Sequence, residues 1–147
     1  MENIRSGLHD KLFSRLCQSP AYAGWLGRAF EYLCINHARR FTELLGFSGI
    51  DFTCGPYFEK PKKDEQGVQI DLLFARADRV ITLCEMKYTL SPVGKNIIGD
   101  VERKVDFLRR KFPKYTVQRV LVTRERASKE LEQSGYFYEI IEAEALF

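Results

Sequence analysis

Two short strings of polar residues in the middle of the chain carry side chains suited to metal-assisted chemistry. Gln69 and Asp71 alternate with apolar residues in one segment, and Glu85 and Lys87 do so in the next. Residues i and i+2 of a strand share one face of a sheet, so each string presents its two polar side chains together. An amide, two carboxylates and an ammonium on adjoining strands are a sufficient set for metal-assisted phosphodiester hydrolysis.

The segment that joins the two strings predicts a β-hairpin. Apolar residues alternate through 68–74, and residues 80–88 have the pattern of a second strand, as in two neighbouring strands. If residues 77–79 form the turn, the side chains of the two strings lie opposite each other, with opposed Cβ atoms about 4.5–5.5 Å apart. In that register Arg76 pairs with Val80, Asp71 with Glu85, and Gln69 with Lys87.

The same sheet face continues in apolar residues, Leu73, Ile81 and Leu83. Two carboxylates at the polar end repel each other unless positive charge lies between them, and Mg²⁺ or Mn²⁺ suits such oxygen ligands. The backbone carbonyl of Met86 is a further candidate ligand, and Lys87 would face the attacking water or the phosphate. The alternative is a salt-bridged polar patch on an exposed sheet face.

The elements around the hairpin predict a mixed α/β domain. Helical periodicity marks four segments and strand patterning marks three more besides the hairpin, with a charged loop at 60–66. The order is α, β, β, β, α, β, α, β after an initial helix, and the crossover that follows the hairpin should be right-handed. The helices are 8–17, 20–44, 98–112 and 127–133, and the outer strands are 50–59, 117–122 and 136–141. The stripe expected to face the core of helix 20–44 is Leu26, Phe30, Leu33, His37, Phe41 and Leu44.

Composition fits one globular domain outside the membrane. The chain has 147 residues, 45% hydrophobic and 29% charged, with a formal charge of +3 that permits nucleic-acid binding without requiring it. It has no apolar run of the ~20 residues that span a bilayer, and residues 1–10 do not resemble a secretory signal.

Long cysteine spacings and only two histidines argue against zinc, so the thiols are expected as core residues in a reducing cytoplasm. The cysteines are Cys17, Cys34, Cys54 and Cys84.

Basic residues on the helix at 98–112 are candidates for contacting a phosphate backbone. Pairs seven residues apart share a helix face, which would give such a track. A solvated polar face is the alternative, because acidic residues interleave with the basic ones. The candidates are Arg103, Lys104, Arg110 and Lys111.

The two strings, Gly67 to Asp71 and Cys84 to Tyr88, resemble the core of the PD-(D/E)XK nuclease superfamily. The helix string Gly27 to Glu31 matches a position at which that superfamily often has a further carboxylate, although by itself Glu31 could be an exposed helix residue. The sequence is especially similar to the nuclease-like domain at the C-terminus of a family of prokaryotic AAA+-type ATPases, over about residues 25–122. Ile70 replaces the proline of the superfamily name.

The resemblance implies a restriction-endonuclease-like mixed β-sheet core flanked by helices, αβββαβ, in a single domain of residues 1–147. Residues 1–19 would be an N-terminal helical extension or the remnant of a linker.

The resemblance further implies a Mg²⁺- or Mn²⁺-dependent nuclease acting on DNA, with an AAA+-type ATPase as partner. Glu31, Asp71, Glu85 and the Met86 carbonyl would hold the ion, Lys87 would assist the water and Gln69 would orient the site. The alternative is a catalytically quiet interaction module that serves the ATPase; RNA as substrate and the oligomeric state stay open.

Overall fold

One mixed β-sheet forms the centre of the part of the chain that the structure describes. The structure, a computed structural model, describes residues 20–146, with only the backbone at 20–26 and 30. The strand order is β1-β2-β3-β4-β5; β2 pairs antiparallel with both β1 and β3, whereas β4 pairs parallel with both β3 and β5. The strands are β1 Phe52–Glu59, β2 Val68–Arg76, β3 Val80–Lys87, β4 Thr116–Thr123 and β5 Glu139–Glu142.

Helices cover both faces of this sheet. They are α1 Pro20–Asn36, α2 Ala38–Leu44, α3 Ile98–Lys111 and α4 Lys129–Ser134, with 3-10 turns at Lys95–Ile97 and Ala143–Leu146. The order from α1 to β4 confirms the predicted mixed sheet flanked by helices, αβββαβ. Among the residues the structure describes, no helix is both long and apolar enough to cross a membrane.

Two apolar layers pack against the two faces of the sheet. The first, here the α1–α2 layer, joins Cys34 and Phe41 to Phe74 and to alternate residues of β3 and β4. The second, the α3 layer, joins Val105 and Leu108 to the remaining residues of β3 and β4. Burial on both faces explains why these central strands are almost continuously apolar.

The helix predicted for residues 20–44 is wrong in one respect, because it is interrupted at His37. That residue has φ −103° and ψ 26°, outside the helical region, and no glycine or proline marks the break. The buried stripe is also shifted: Cys34 and Phe41 are fully buried, whereas Leu33 is 46% and Leu44 36% exposed. Phe41 is buried as predicted, but on either side of it the buried residue lies one place later than predicted, Cys34 instead of Leu33 and Leu45 instead of Leu44. The predicted core side chains of Leu26 and Phe30 lie outside what the structure describes.

Smaller differences lie at the edges of the fold. Cys54 is exposed on the edge strand β1, while Cys34 and Cys84 are buried free thiols, so the expectation of core cysteines holds for only two of these three. The last strand is shorter than predicted, because Phe137 packs into the α3 layer. The predicted helix at 8–17, Cys17 and the extension at 1–19 lie outside the described residues.

Candidate active site

A polar cleft of about 490 Å³ lies at the end of the sheet where the ladder between β2 and β3 stops. The last pair of that ladder is Leu72 with Cys84, whereas β3 continues to pair with β4 as far as Lys87. The cleft therefore opens beside an extended stretch of β3 that has only one neighbour. Both polar strings line it, and Glu31 of α1 and Lys104 of α3 lie at its sides.

The predicted hairpin register is confirmed from Leu72 to Ala75, whereas the strand pairs predicted for Asp71 with Glu85 and for Gln69 with Lys87 are not formed. Leu72 pairs with Cys84 and Ala75 with Ile81, as a turn at residues 77–79 requires. The ladder ends one residue short of Asp71 and Glu85, however. In place of a strand pair, the Asp71 carboxylate accepts a hydrogen bond of 2.9 Å from the backbone N–H of Met86. Asp71 is thus fixed beside the backbone of β3, next to Glu85.

A β-bulge in β2 directs Asp71 toward this position. Asp71 and Leu72 together stand opposite Pro56 of β1, and proline is tolerated there because a bulge leaves a ladder hydrogen bond unmade. Ile70 and Leu73 consequently pack in the same α3 layer, although uninterrupted alternation would place them on opposite faces. The predicted alternation through 68–74 is therefore wrong at Asp71. The pairs flanking the bulge are Gly55–Leu73 and Tyr57–Ile70.

Glu85 is a buried carboxylate held between two ammonium groups. It is 2% exposed, and its Oε2 lies 2.8 Å from Nζ of Lys104. Its Oε1 lies 3.3 Å from Nζ of Lys87, two residues along the same strand. A buried charge is tolerated only when it is paired in this way, so the two lysines account for the burial of Glu85.

Asp71 has a different electrostatic environment. Burial and the negative charge of Glu85 raise its pKa to about 6, and the Glu31 charge adds to the effect. The hydrogen bond from Met86 and the Lys104 charge oppose this rise. The charged form of Asp71 is thus disfavoured by burial and by a neighbouring carboxylate, and a bound cation would relieve this.

The remaining predicted site residues differ in their burial and in their position at the cleft. Lys87 and Glu31 are half-buried at its wall, and Gln69 is exposed on β2 beside the edge strand. Met86 uses its backbone N–H to fix Asp71, and its side chain packs in the α1–α2 layer.

Lys104 is the site residue whose place sequence analysis missed. It was a candidate for the helix surface, yet it is 7% exposed and bonded to Glu85, which does not fit a surface phosphate contact. The signal was present, because Lys104 lies three residues after Val101 and four before Leu108, on the buried stripe of α3. A lysine at a core-facing position predicts a buried partner of opposite charge.

The other basic candidates of α3 differ in their contacts. Arg103 donates to the carbonyl of Gly67 at 3.0 Å and pairs with Asp100 at 3.1 Å. Lys111 is paired with Glu59 of β1. Arg110 is exposed. Of these three, Arg103 lines the cleft, and Arg103 and Arg110 together line another cavity. A role for them in contacting a phosphate backbone stays a prediction.

The chemistry of the donor set suits a hard divalent ion. Asp71, Glu85 and Glu31 offer carboxylate oxygens at one cleft, and magnesium and manganese prefer such ligands. Within residues 20–146, no three His, Cys, Asp or Glu side chains converge closely enough to form a ready ligand cluster. The contacts give the reason, since both oxygens of Glu85 face lysines rather than Asp71.

Comparison with known proteins gives structural neighbours only. No family model and no curated protein matches the sequence. The chain is similar to a repair endonuclease from Pyrococcus abyssi, with a TM-score of 0.48 and 16% identity over 74% of this chain and 44% of that chain. It is also similar to a protein of unknown function, AF1548, with a TM-score of 0.48 and 18% identity over 75% of this chain and 63% of that chain. The chain thus spans less than two thirds of the length of either neighbour.

Proposed function

We propose that this chain is a metal-dependent nuclease domain that hydrolyses phosphodiester bonds, with DNA as its substrate. The observation that carries the proposal is the meeting of Asp71, Glu85 and Lys87 in one cleft at the end of the sheet. Their arrangement follows from a confirmed hairpin register and from the bond between Asp71 and the backbone of Met86. Two carboxylates and a lysine so placed are the parts that hydrolysis of a phosphodiester requires.

Each residue has a definite part in this proposal. Asp71 and Glu85 hold Mg²⁺ or Mn²⁺, with the carbonyl of Met86 and the carboxylate of Glu31 as further ligands. When bound, the ion supplies charge stabilisation at the phosphate and lowers the pKa of water. The ammonium of Lys87, 35% exposed, can leave Glu85 and contact the phosphate or the attacking water. Gln69, exposed at the mouth, orients the substrate by hydrogen bonding.

A catalytically quiet module that serves an AAA+-type ATPase is the second candidate. The pairing of Glu85 with two lysines favours it, because the carboxylate is already satisfied without an ion. The half-exposed state of Lys87 and the low positive charge around Asp71 favour the nuclease. Cleavage assays separate the two, since a quiet module has no activity for a site variant to lose.

The test is cleavage of plasmid DNA and of single-stranded oligonucleotides with Mg²⁺ or Mn²⁺. Asp71→Asn should abolish cleavage, because the amide cannot supply the ligand charge. Lys87→Met should lower the rate by about 10²–10⁴-fold, the usual contribution of general acid–base catalysis, while metal binding persists. Asp106→Asn is the matched control, because Asp106 is an exposed residue of α3 outside the cleft. Cleavage that survives Asp71→Asn at the parent rate would refute the proposal.

A further inference from the structure

Lys104 is a buried ammonium that reaches the site from a different element than the other site residues. Its Nζ lies 2.8 Å from Glu85 Oε2 and 3.4 Å from Asp100 Oδ2. Asp100 is itself exposed, so Glu85 is the buried partner. The stem of Lys104 lies among the apolar residues of α3, and packing of this helix on the sheet fixes where the ammonium lies.

The two lysines that contact Glu85 are not equivalent. The Lys87 side chain is 35% exposed and lies 3.3 Å from the carboxylate, at the open side of the cleft. The Lys104 side chain is 9% exposed and makes the shorter contact. Lys87 can therefore move toward solvent or substrate at little cost, whereas moving Lys104 would break the shorter contact with the buried Glu85. If Lys87 leaves, Lys104 is what keeps Glu85 compensated.

We propose that Lys104 is a built-in counter-ion for Glu85 and competes with the divalent cation for that carboxylate. The inference rests on the proposed function, because the competing ion is the one assigned to Asp71 and Glu85 there. Lys104 acts as a positioning residue: it holds the buried Glu85 in the cleft before an ion arrives. It also limits how strongly an ion can bind, since part of the carboxylate charge is already neutralised.

This role predicts that the fold depends more on metal when Lys104 is removed. Breaking a buried ion pair by removing one partner leaves an uncompensated charge, which is strongly destabilising. A divalent ion beside Glu85 replaces that compensation and stabilises the folded state by linkage. In the parent protein Lys104 already compensates the charge of Glu85, so the same ion adds less stability to the folded state.

Thermal unfolding with EDTA and with saturating Mn²⁺ tests this. In EDTA, Lys104→Met should lower Tm by about 10 °C, from the cost of breaking a buried pair in a domain of this size. Lys111→Met is the matched control: it removes a lysine of the same helix whose partner, Glu59, lies at the surface, and its Tm should change little. The upward shift that Mn²⁺ causes should be larger in Lys104→Met than in the parent. Lys104→Arg, which keeps the charge, should return the shift to the parent size.

The outcomes are separable. A Mn²⁺ shift of equal or smaller size in Lys104→Met would overturn the inference while leaving the proposed metal site intact. If Mn²⁺ shifts the Tm of neither protein, the metal site of the proposed function is refuted, and the proposed competition for Glu85 is refuted with it. If Lys104→Met does not fold in EDTA, refolding is measured with Mn²⁺; recovery supports the inference and failure to recover overturns it.

Discussion

At the scale of single residues, the two carboxylates of the cleft have opposite surroundings. Glu85 is buried against the ammonium groups of Lys87 and Lys104. Asp71 is held by one backbone N–H, and its nearest strong charge is negative. Glu85 is therefore compensated without an ion, and Asp71 is the carboxyl group whose ionisation gains most from one.

A pH-dependent stability follows for Asp71 in the absence of divalent ions. Its folded-state pKa of about 6 lies above the ordinary value of 3.8, because burial and Glu85 disfavour the charged form. Stability linked to this group is therefore fully present below about pH 4 and is lost as the pH rises through about 6.

Comparison of Asp71→Asn with the parent in EDTA tests the sign. The Tm of the variant relative to the parent should rise between pH 4 and pH 7, since the amide cannot ionise. Asp106→Asn, at an exposed residue, should show no such trend. A difference that is constant or falls across this range would mean that Asp71 is not in the negative environment described.

At the scale of elements, the bulge in β2 and the buried face of α3 build the site. The bulge at Asp71 turns the strand so that its carboxylate reaches the backbone of β3. The buried stripe of α3 then brings Lys104 to Glu85. The bulge in β2 thus determines where Asp71 lies, and the position of Lys104 on the buried face of α3 determines its contact with Glu85.

A matched pair of leucines tests the assignment of buried helix faces. Leu108 of α3 is fully buried, and Leu33 of α1, which periodicity predicts to be buried, is 46% exposed. Leu108→Ala should lower the free energy of unfolding by about 2–5 kcal/mol, as cavity-forming substitutions do. Leu33→Ala should cost much less, within about 1 kcal/mol. Urea denaturation measures both, and equal losses would contradict the observed burial of α1.

The order of most helices and strands could be predicted from local sequence patterns, and the predictions that were wrong have physical causes. Alternation and a three-residue turn were enough to predict the register from Leu72–Cys84 to Ala75–Ile81, because the length of the turn determines which residues of the two strands face each other. The bulge was hidden because both sheet faces are apolar, so a change of face leaves the hydrophobic pattern unaltered. The break at His37 has no proline or glycine signal. The contact of Lys104 depends on how α3 packs over the sheet, which sequence spacing does not specify.

At the scale of the whole molecule, the described part of the chain has a packed body and a polar end of the sheet. Helices cover both faces along β3 and β4, and the cleft opens where the β2–β3 ladder stops at Leu72. Polar groups gather there at a cost in desolvation, which a bound cation would offset. A net charge of +3 adds only a weak general attraction for nucleic acid, so under the proposed function recognition would depend mainly on groups at the cleft.

Calorimetric titration of Mn²⁺ into the intact chain tests the central claim most directly. Binding should be present in the parent and in Asp106→Asn, and should be lost in Asp71→Asn and in Glu85→Gln, because each of the last two removes a carboxylate charge from the cleft. Circular dichroism verifies that every variant is folded. Parent-like Mn²⁺ binding in folded Asp71→Asn and Glu85→Gln would show that these carboxylates do not form the metal site, and would contradict the account.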